Sequence, residues 1–443
     1  MRKNFLFLLG ILFPFSLISQ KTWTLQECLE YAVAHNPRIL SLRMQTARDS
    51  VAWQESRMEI LPQLEFTAGQ GFQLGETFNV STGVGQRKSS YTSFNLSAQA
   101  SLFEGFAKHY MIRYRQALSQ KSRYETSVET WNLQTDIISL FYQILYDLDN
   151  LKISEELIHL QTQIVNIAEK LYREHLKPYD EYLSARTDMA ALKRTYEEAK
   201  KQFSIHQARL TELLNLDTTL ILPKPPSREP GFMISETLQT GNLPQILAVQ
   251  SQIKALEWRK KTEKSKRYPQ LFIRYSYGSN YYHLLGEKDL IYNRETGQWE
   301  PFGPKEQFLS NQMHYVYAGI RIPLFQGFRV KQNLQMAEYE KRQAEYQLAE
   351  RKRKLISLYS QWKTEAETAY RQWKMQKETV KWSKENLKLK EQKYKQNALP
   401  YIEWQKVREN HLQAELLLAR YRWEAYMKYE LLSRLFRNLN GKN

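Results

Sequence analysis

The sequence predicts a mostly α-helical chain with a membrane β-barrel portion, built as a tandem repeat. Three observations predict it. Two long stretches, Gly105 to Pro178 and Gly327 to Pro400, hold no internal proline and carry an apolar residue at nearly every seventh position. Four shorter stretches alternate apolar and polar residues. The second half of the chain then repeats the order of the first.

Residues 1–19 read as a secretory signal peptide. Arg2 and Lys3 precede an apolar run from Phe5 to Ile18 that is too short to span a bilayer. Gln26 and Glu27 before Cys28 are not the small residues of a lipoprotein site, and a lone cysteine makes no internal disulfide, so Cys28 reads as a small helix residue. The first mature helix starts at a capping box of Thr24 and Glu27 and runs to about Leu61, with Pro37 as a kink or restart.

A β-hairpin over 64–102 follows. Leu64, Phe66 and Ala68 alternate with Glu65, Thr67 and Gly69; Phe94, Leu96 and Ala98 alternate with Asn95, Ser97 and Gln99. Period two with one apolar and one polar face is a half-buried strand. Runs of about ten residues are long enough to cross a bilayer at a tilt. The segment Gly75–Ser90 between them reads as an exposed polar loop.

The long helix 105–177 has its seam at Ile137, Ile144, Leu151, Ile158, Val165 and Tyr172. A seven-residue period holds one stripe of a helix against a partner. At 1.5 Å rise per residue it makes a rod of roughly 110 Å. Pro178 ends it, a return helix covers 179–216, and Leu222–Gly231, with four prolines, reads as a linker. A helix from about Pro244 to Arg267 opens the second half.

Residues 20–231 and 232–443 form two structural repeats. Pro37-Arg38-Ile39-Leu40 matches Pro244-Gln245-Ile246-Leu247, and Leu61-Pro62-Gln63-Leu64 matches Tyr268-Pro269-Gln270-Leu271, both at an offset of 207. Leu102-Phe103-Glu104-Gly105-Phe106 matches Leu324-Phe325-Gln326-Gly327-Phe328 at an offset of 222. The difference of 15 residues lies in the second hairpin loop, a tyrosine-rich stretch around Gly278–Gln312. The second repeat thus holds a hairpin at 271–324, a long helix at 327–399, seamed by Tyr359, Ala366, Trp373, Val380, Leu387 and Tyr394, and a return helix at 401–439.

Four strands cannot close a barrel, and lipid does not tolerate open sheet edges. The chain must therefore assemble with copies of itself: two copies give eight strands and a filled interior, three give twelve and room for a pore. Tyr275, Tyr277, Tyr281, Tyr282 and Tyr317 are candidates for an aromatic girdle at the lipid interface. The net charge of +17 alone would point to nucleic acid or an anionic surface, but export argues against nucleic acid. No HExxH, GxSxG, Walker loop or paired CxxC occurs, and the histidines have no metal-ligand spacing, so no enzyme, metal or cofactor is expected.

In their order and duplication, Thr24-Leu25-Gln26-Glu27-Cys28-Leu29, Asn36-Pro37, Leu61-Pro62-Gln63-Leu64, Ile322-Pro323-Leu324-Phe325-Gln326-Gly327 and the two Leu/Pro rod-end turns resemble the TolC-type outer-membrane factor family. The resemblance implies long antiparallel α-helical coiled coils plus four β-strands per protomer. It implies a homotrimer whose 12-stranded barrel sits in the outer-membrane lipid of a Gram-negative cell, continued by an α-helical periplasmic tunnel. It also implies an exit duct of a tripartite efflux or type I secretion system. Cargo would pass passively from a periplasmic adaptor (membrane fusion protein) and an inner-membrane pump of RND, ABC or MFS type. Its adaptor-docking turns map onto Leu176, Lys177, Pro178, Leu399, Pro400 and Tyr401, where the family often has glycine and Ser/Thr. Its periplasmic gate maps onto Glu403, with Glu181 as the repeat partner and Lys406 where a second acid would be expected. The competing reading is a secreted coiled-coil scaffold or adhesin without a pore, which needs no bilayer-length hairpins.

Overall fold

The computed structural model describes residues 22–75, 77–79, 84–86, 88–217, 222–226, 238, 240–396 and 398–437. The signal-peptide segment 1–19 and the end of the proline-rich linker lie outside the described residues. The chain divides into two compact units, one formed by 1–44, 124–246 and 350–443, the other by 45–123 and 247–349.

In chain order the elements begin with β1 (Thr22–Trp23), α1 (Leu25–His35) and α2 (Pro37–Met58). The Thr24–Glu27 capping box forms in both directions: Glu27 N donates to Thr24 Oγ1 at 3.2 Å and Thr24 N to Glu27 Oε2 at 2.8 Å. Pro37 restarts the helix rather than kinking it. It takes the first position of α2, where its missing N–H costs nothing, and Asn36 Oδ1 accepts from Arg38 N at 3.0 Å. The strand β2 (Gln63–Gln73), the short pair β3 (Thr77–Asn79) and β4 (Val84–Gln86), and β5 (Ser89–Phe103) follow. The helices α3 (Ala107–Arg173) and α4 (Tyr179–Leu214), the bridge β6 (Leu222–Pro223) and α5 (Pro244–Ser265) lead to β7 (Gln270–Leu284). The second loop holds β8 (Leu290–Asn293), β9 (Gln298–Pro301) and α6 (Pro304–Ser310). Then come β10 (Met313–Arg321), α7 (Arg329–Lys395) and α8 (Tyr401–Arg437). The helices α3 and α7 are each 67 residues long.

The core of the first unit gathers α1, α3, α4, α7 and α8. Cys28, Leu29, Ile137, Phe141, Ile144, Leu210, Leu214, Trp373 and Trp423 are buried in one cluster. Burial pushes the Cys28 thiol up to about 12, which suits an inert packing residue. The heptad seams are buried only in part. Ile137, Ile144, Tyr359, Ala366 and Trp373 are buried, whereas Leu151, Ile158, Val165, Val380 and Leu387 are intermediate in this single chain and Tyr172 is exposed.

The second unit carries a four-stranded antiparallel sheet in the order β10-β7-β5-β2. The two hairpins are joined by the long inner strands, paired from Ser89↔Leu284 to Phe103↔Leu271. The loop expected over Gly278–Gln312 is therefore shorter, because β7 stays paired to β5 six residues beyond the top of β10. The rest of that loop is folded: Gln307, buried on α6, bonds the backbone of Tyr282 and Phe302, and Asp289 receives Tyr281 Oη at 2.8 Å.

Each strand-to-helix passage is a tight turn with two successive left-handed residues. Gly105 and Phe106 have φ of 62° and 65°; Gly327 and Phe328 have 58° and 57°. Ala107 N donates to Glu104 O and Arg329 N to Gln326 O, both at 3.1 Å. Positive φ at both central residues is the type I′ pattern, which glycine accepts and a phenylalanine resists. The strain on each Phe, about 1–2 kcal/mol, is matched in size by an edge-to-face ring contact worth about 0.5–1.5 kcal/mol. Phe106 meets Phe103 at 5.4 Å and Phe328 meets Phe325 at 5.6 Å.

The two glycines differ in their surroundings. A Cβ on Gly105 would lie 2.7 Å from Tyr268 Cβ and 2.8 Å from Ser265 O, whereas one on Gly327 meets nothing within 4 Å. Gly327→Ala is therefore expected to cost the backbone strain alone, about 1–2 kcal/mol, and Gly105→Ala clearly more. The yield and thermal midpoint of the two purified variants check this; equal values would show that Tyr268 yields freely.

Candidate functional site

Two places in the fold bear on function: the faces of the sheet, and the helix-turn end of the first unit. The register sorts the sheet's side chains. One face carries Leu64, Phe66 and Ala68 from β2, opposite Ala98, Leu96 and Phe94. The same rows continue through Tyr275 and Tyr277 to Val316 and His314. The other face carries Gln63, Glu65 and Thr67, opposite Gln99, Ser97 and Asn95, and continues to Arg274 and Ser276. Arg274 Nε and Nη2 donate to Gln99 Oε1 at 3.2 and 2.8 Å.

The apolar face is open to its surroundings: Leu64 is 71% exposed, Phe66 65%, Val316 67% and Ile320 63%. Phe106, Phe325 and Phe328 are exposed at the strand-to-helix turns. An apolar face above a band of aromatic rings is the signature of a surface that meets lipid. Tyr275 and Tyr277 lie on this face, as the girdle expectation requires. Tyr317 does not. It pairs with Arg274, so the period-two alternation turns it to the polar face, and Tyr282, opposite Tyr91, shares that side. Tyr281 is tied into the folded loop through Asp289. Among the described residues, the outer strands β2 and β10 each pair on one side only.

At the helix-turn end, α3 closes with His175 in the left-handed region, φ 58°. Leu176 N donates to Leu171 O at 2.8 Å and His175 N to Tyr172 O at 3.0 Å, which is a Schellman closure. Ala398 N donates to Lys393 O at 2.8 Å in the second turn. Pro178 and Pro400 then stand directly before α4 and α8, where a fixed φ suits the start of a helix.

The turns bring most of the expected residues together. Lys177, Glu181, Pro400, Tyr401 and Glu403 line one cleft of about 790 Å³, with Lys406 and Asp188. Leu176 is exposed and Leu399 half-buried; neither lines the cleft. Tyr401 Oη donates to Gln163 Oε1 at 3.3 Å, Gln405 Nε2 donates to the same oxygen, and Tyr401 and Gln405 also touch. This ties the start of α8 to α3. Burial raises the Tyr401 hydroxyl above its ordinary value, so it stays a neutral donor.

The two repeat-related acids are not equivalent. Lys177 Nζ lies 2.9 Å from Glu181 Oε1, at i and i+4. The residue four before Glu403 is Leu399, which carries no charge. Both acids sit in the first turn of their helices, Glu181 on α4 and Glu403 on α8. Of the two, Glu403 is the acid with no lysine one turn before it.

Residue spacing did not single out the aromatic braces at the turns. Tyr172 stacks on Tyr182 at 6.2 Å and touches Tyr179 at 4.9 Å. Tyr394 stacks on Trp404 at 4.8 Å and touches Tyr401 at 5.5 Å. All three members recur at the offset of 222, so the aromatic character of Tyr182 and Trp404 was the available signal. No group of acidic, histidine and cysteine side chains fit for a metal ion occurs among the described residues. No helix there is long and apolar enough to cross a membrane.

Residues 28–216 and 234–435 match the family model described as outer membrane efflux protein. The chain belongs to that family, and its place is the outer membrane. Solved structures share the fold. The outer membrane protein VceC of Vibrio cholerae has 14% identity, with 94% of this chain and 96% of that one covered and a TM-score of 0.74. The CmeC outer membrane channel of Campylobacter jejuni has 12% identity, coverage of 94% and 85%, and a TM-score of 0.77. The MtrE outer membrane channel of Neisseria gonorrhoeae, solved in its open state, has 16% identity, coverage of 94% and 89%, and a TM-score of 0.64. No curated protein sequence matches the chain significantly.

Glycine suits the position His175 occupies. His175→Gly is expected to stabilise the α3–α4 turn by about 0.5–1 kcal/mol, the left-handed strain being relieved and partly offset by glycine's greater freedom when unfolded. A raised thermal midpoint checks it; a lowered one would show that the imidazole holds the turn.

Proposed function

We propose that the chain is the outer-membrane exit duct of a tripartite export assembly, acting as a closed ring of three copies. One observation carries this reading: a four-stranded sheet, apolar and exposed on one face and polar on the other, whose two outer strands each have one edge without a partner strand among the described residues. In hydrocarbon each unpaired backbone group costs several kcal/mol, so β2 of one copy must pair with β10 of the next. Three copies give twelve strands, enough to enclose a lumen, with the Gln63–Gln99–Arg274 face inward.

The duct needs no chemistry of its own. Energy for export comes from an inner-membrane pump of the RND, ABC or MFS type, and cargo passes down its gradient. The turns at Leu176, Lys177, Pro178, Leu399, Pro400 and Tyr401 are the docking points for a periplasmic adaptor. Their tight closure and aromatic braces support this, because both hold the turn backbone in a fixed shape for a partner to read. The cargo would be small molecules in an efflux role or polypeptide in a type I secretion role through the same duct.

Glu403 is the gate. Three copies of an acid at a narrow mouth repel one another and attract cations. Glu181 contributes less, because Lys177 offsets its charge.

Single-channel conductance in a planar bilayer tests the proposal. The wild type is expected to give discrete cation-selective steps. Glu403→Ala should enlarge the steps severalfold and weaken the selectivity, while Glu181→Ala should change little. Oligomers verified in the membrane that conduct nothing would overturn the duct. Identical behaviour of the two variants would remove Glu403 as the gate.

A further inference from the structure

The polar face of the sheet is not polar throughout. On the second hairpin three of its aromatic rings adjoin one another: Phe272 on β7, and Tyr315 and Tyr317 on β10. Tyr315 and Tyr317 lie parallel, 6.2 Å apart with planes at 7°, and Tyr317 is 5.8 Å from Phe272. The guanidinium carbon of Arg321 stands 5.9 Å from the Phe272 ring centre, and Arg274 is the cross-strand partner of Tyr317. Tyr315 is 49% exposed and Tyr317 43%.

The internal duplication supplies a control for what these rings are doing. At offsets of 207 and 222, the equivalents of Phe272, Tyr315 and Tyr317 in the first hairpin are Glu65, Ser93 and Asn95. The same strand pairing therefore forms with small or charged residues at these positions, and folding does not call for rings there. The backbone beneath has been cleared to seat them. A Cβ on Gly319 would fall 2.7 Å from Phe272 Cζ and 2.8 Å from Tyr317 Cε1, and its equivalent in the first hairpin is Ser97. The strand that would pair with β10 from the next copy, β2, offers only polar or small residues on this face between Gln63 and Gly71. The rings are not covered by an apolar partner.

We propose that Phe272, Tyr315 and Tyr317, flanked by Arg274 and Arg321, form a binding ladder on the lumen wall for planar aromatic anions. The proposal rests on the exit-duct reading, which makes this face the lumen. The ring faces take a flat aromatic body by offset stacking. The guanidinium groups take its carboxylate or sulfonate by charge-assisted hydrogen bonds, which are stronger on a wall partly screened from water. A ladder of weak, successive stations lets cargo move along the wall without being held.

The test uses the full chain in a planar bilayer with 2-naphthoate as probe. Its saturated counterpart, decahydro-2-naphthoate, has the same charge and no ring face. The wild-type current should be blocked in a concentration-dependent way by 2-naphthoate and at least tenfold less readily by the saturated probe. The double variant Tyr315→Ser, Tyr317→Asn places the first hairpin's residues in the second. It should keep the open conductance and raise the half-blocking concentration of 2-naphthoate at least tenfold. Arg321→Gln leaves the rings and should raise it severalfold, which decides the matter if the double variant does not assemble. Equal block by both probes, or block unchanged in the variants, would overturn the ladder while leaving the duct intact. A wild-type oligomer without conductance would overturn the duct reading itself.

Discussion

A strand in hydrocarbon has only another strand to satisfy its N–H and C=O groups. That constraint governs this protein more than any side-chain contact. Four strands are paired internally as β10-β7-β5-β2, which leaves one row of backbone groups open on β2 and another on β10. An exposed sheet edge in water is a hazard that proteins blunt with charge or proline. Here β2 and β10 are long and apolar on one face. They make sense as edges that close on a copy of the same chain.

The need to close the sheet sets the demands on the neighbouring segments. A strand must become a long helix within a few residues at the base of each hairpin, and the chain meets this with Gly-Phe turns in which both residues are left-handed. Using phenylalanine there is costly for the backbone. The ring gains an edge-to-face partner one turn away and an apolar position at the foot of the sheet. The strain and the contact are of the same order, and the pair occurs in both repeats.

At the helix turns of the first unit the problem is different, since the turn between α3 and α4 is exposed and its backbone groups can be hydrated. Specific shape is then supplied by local closure. His175 takes the left-handed position that ends α3, prolines start the return helices, and stacked rings brace the ends. The duplication is broken where electrostatics matter. Lys177 in one turn is Leu399 in the other, so two acids at equivalent positions have unlike surroundings. On the sheet a similar break replaces Glu65, Ser93 and Asn95 with rings. A duplicated fold can diverge freely at such positions, because the backbone pairing does not depend on them.

The sequence alone determined what rests on periodicity and on local backbone preference. The capping box at Thr24, the restart at Pro37, the alternating strands, the heptad seams and the repeat offsets all follow from interactions within a few residues, and each is visible in residue spacing. So was the need for more copies, since it follows from counting strands. Only the tertiary structure decided matters that depend on register and on neighbours distant in sequence. Tyr317 faces Arg274 and not lipid because of how β10 pairs with β7, and a shift of one residue would have reversed it. The second loop is shorter than its composition indicated because β5 extends the pairing of β7 to Leu284. The unlike settings of Glu181 and Glu403, the crowding at Gly105 and the open space at Gly327 likewise come from packing, in which repeat-related residues meet different partners.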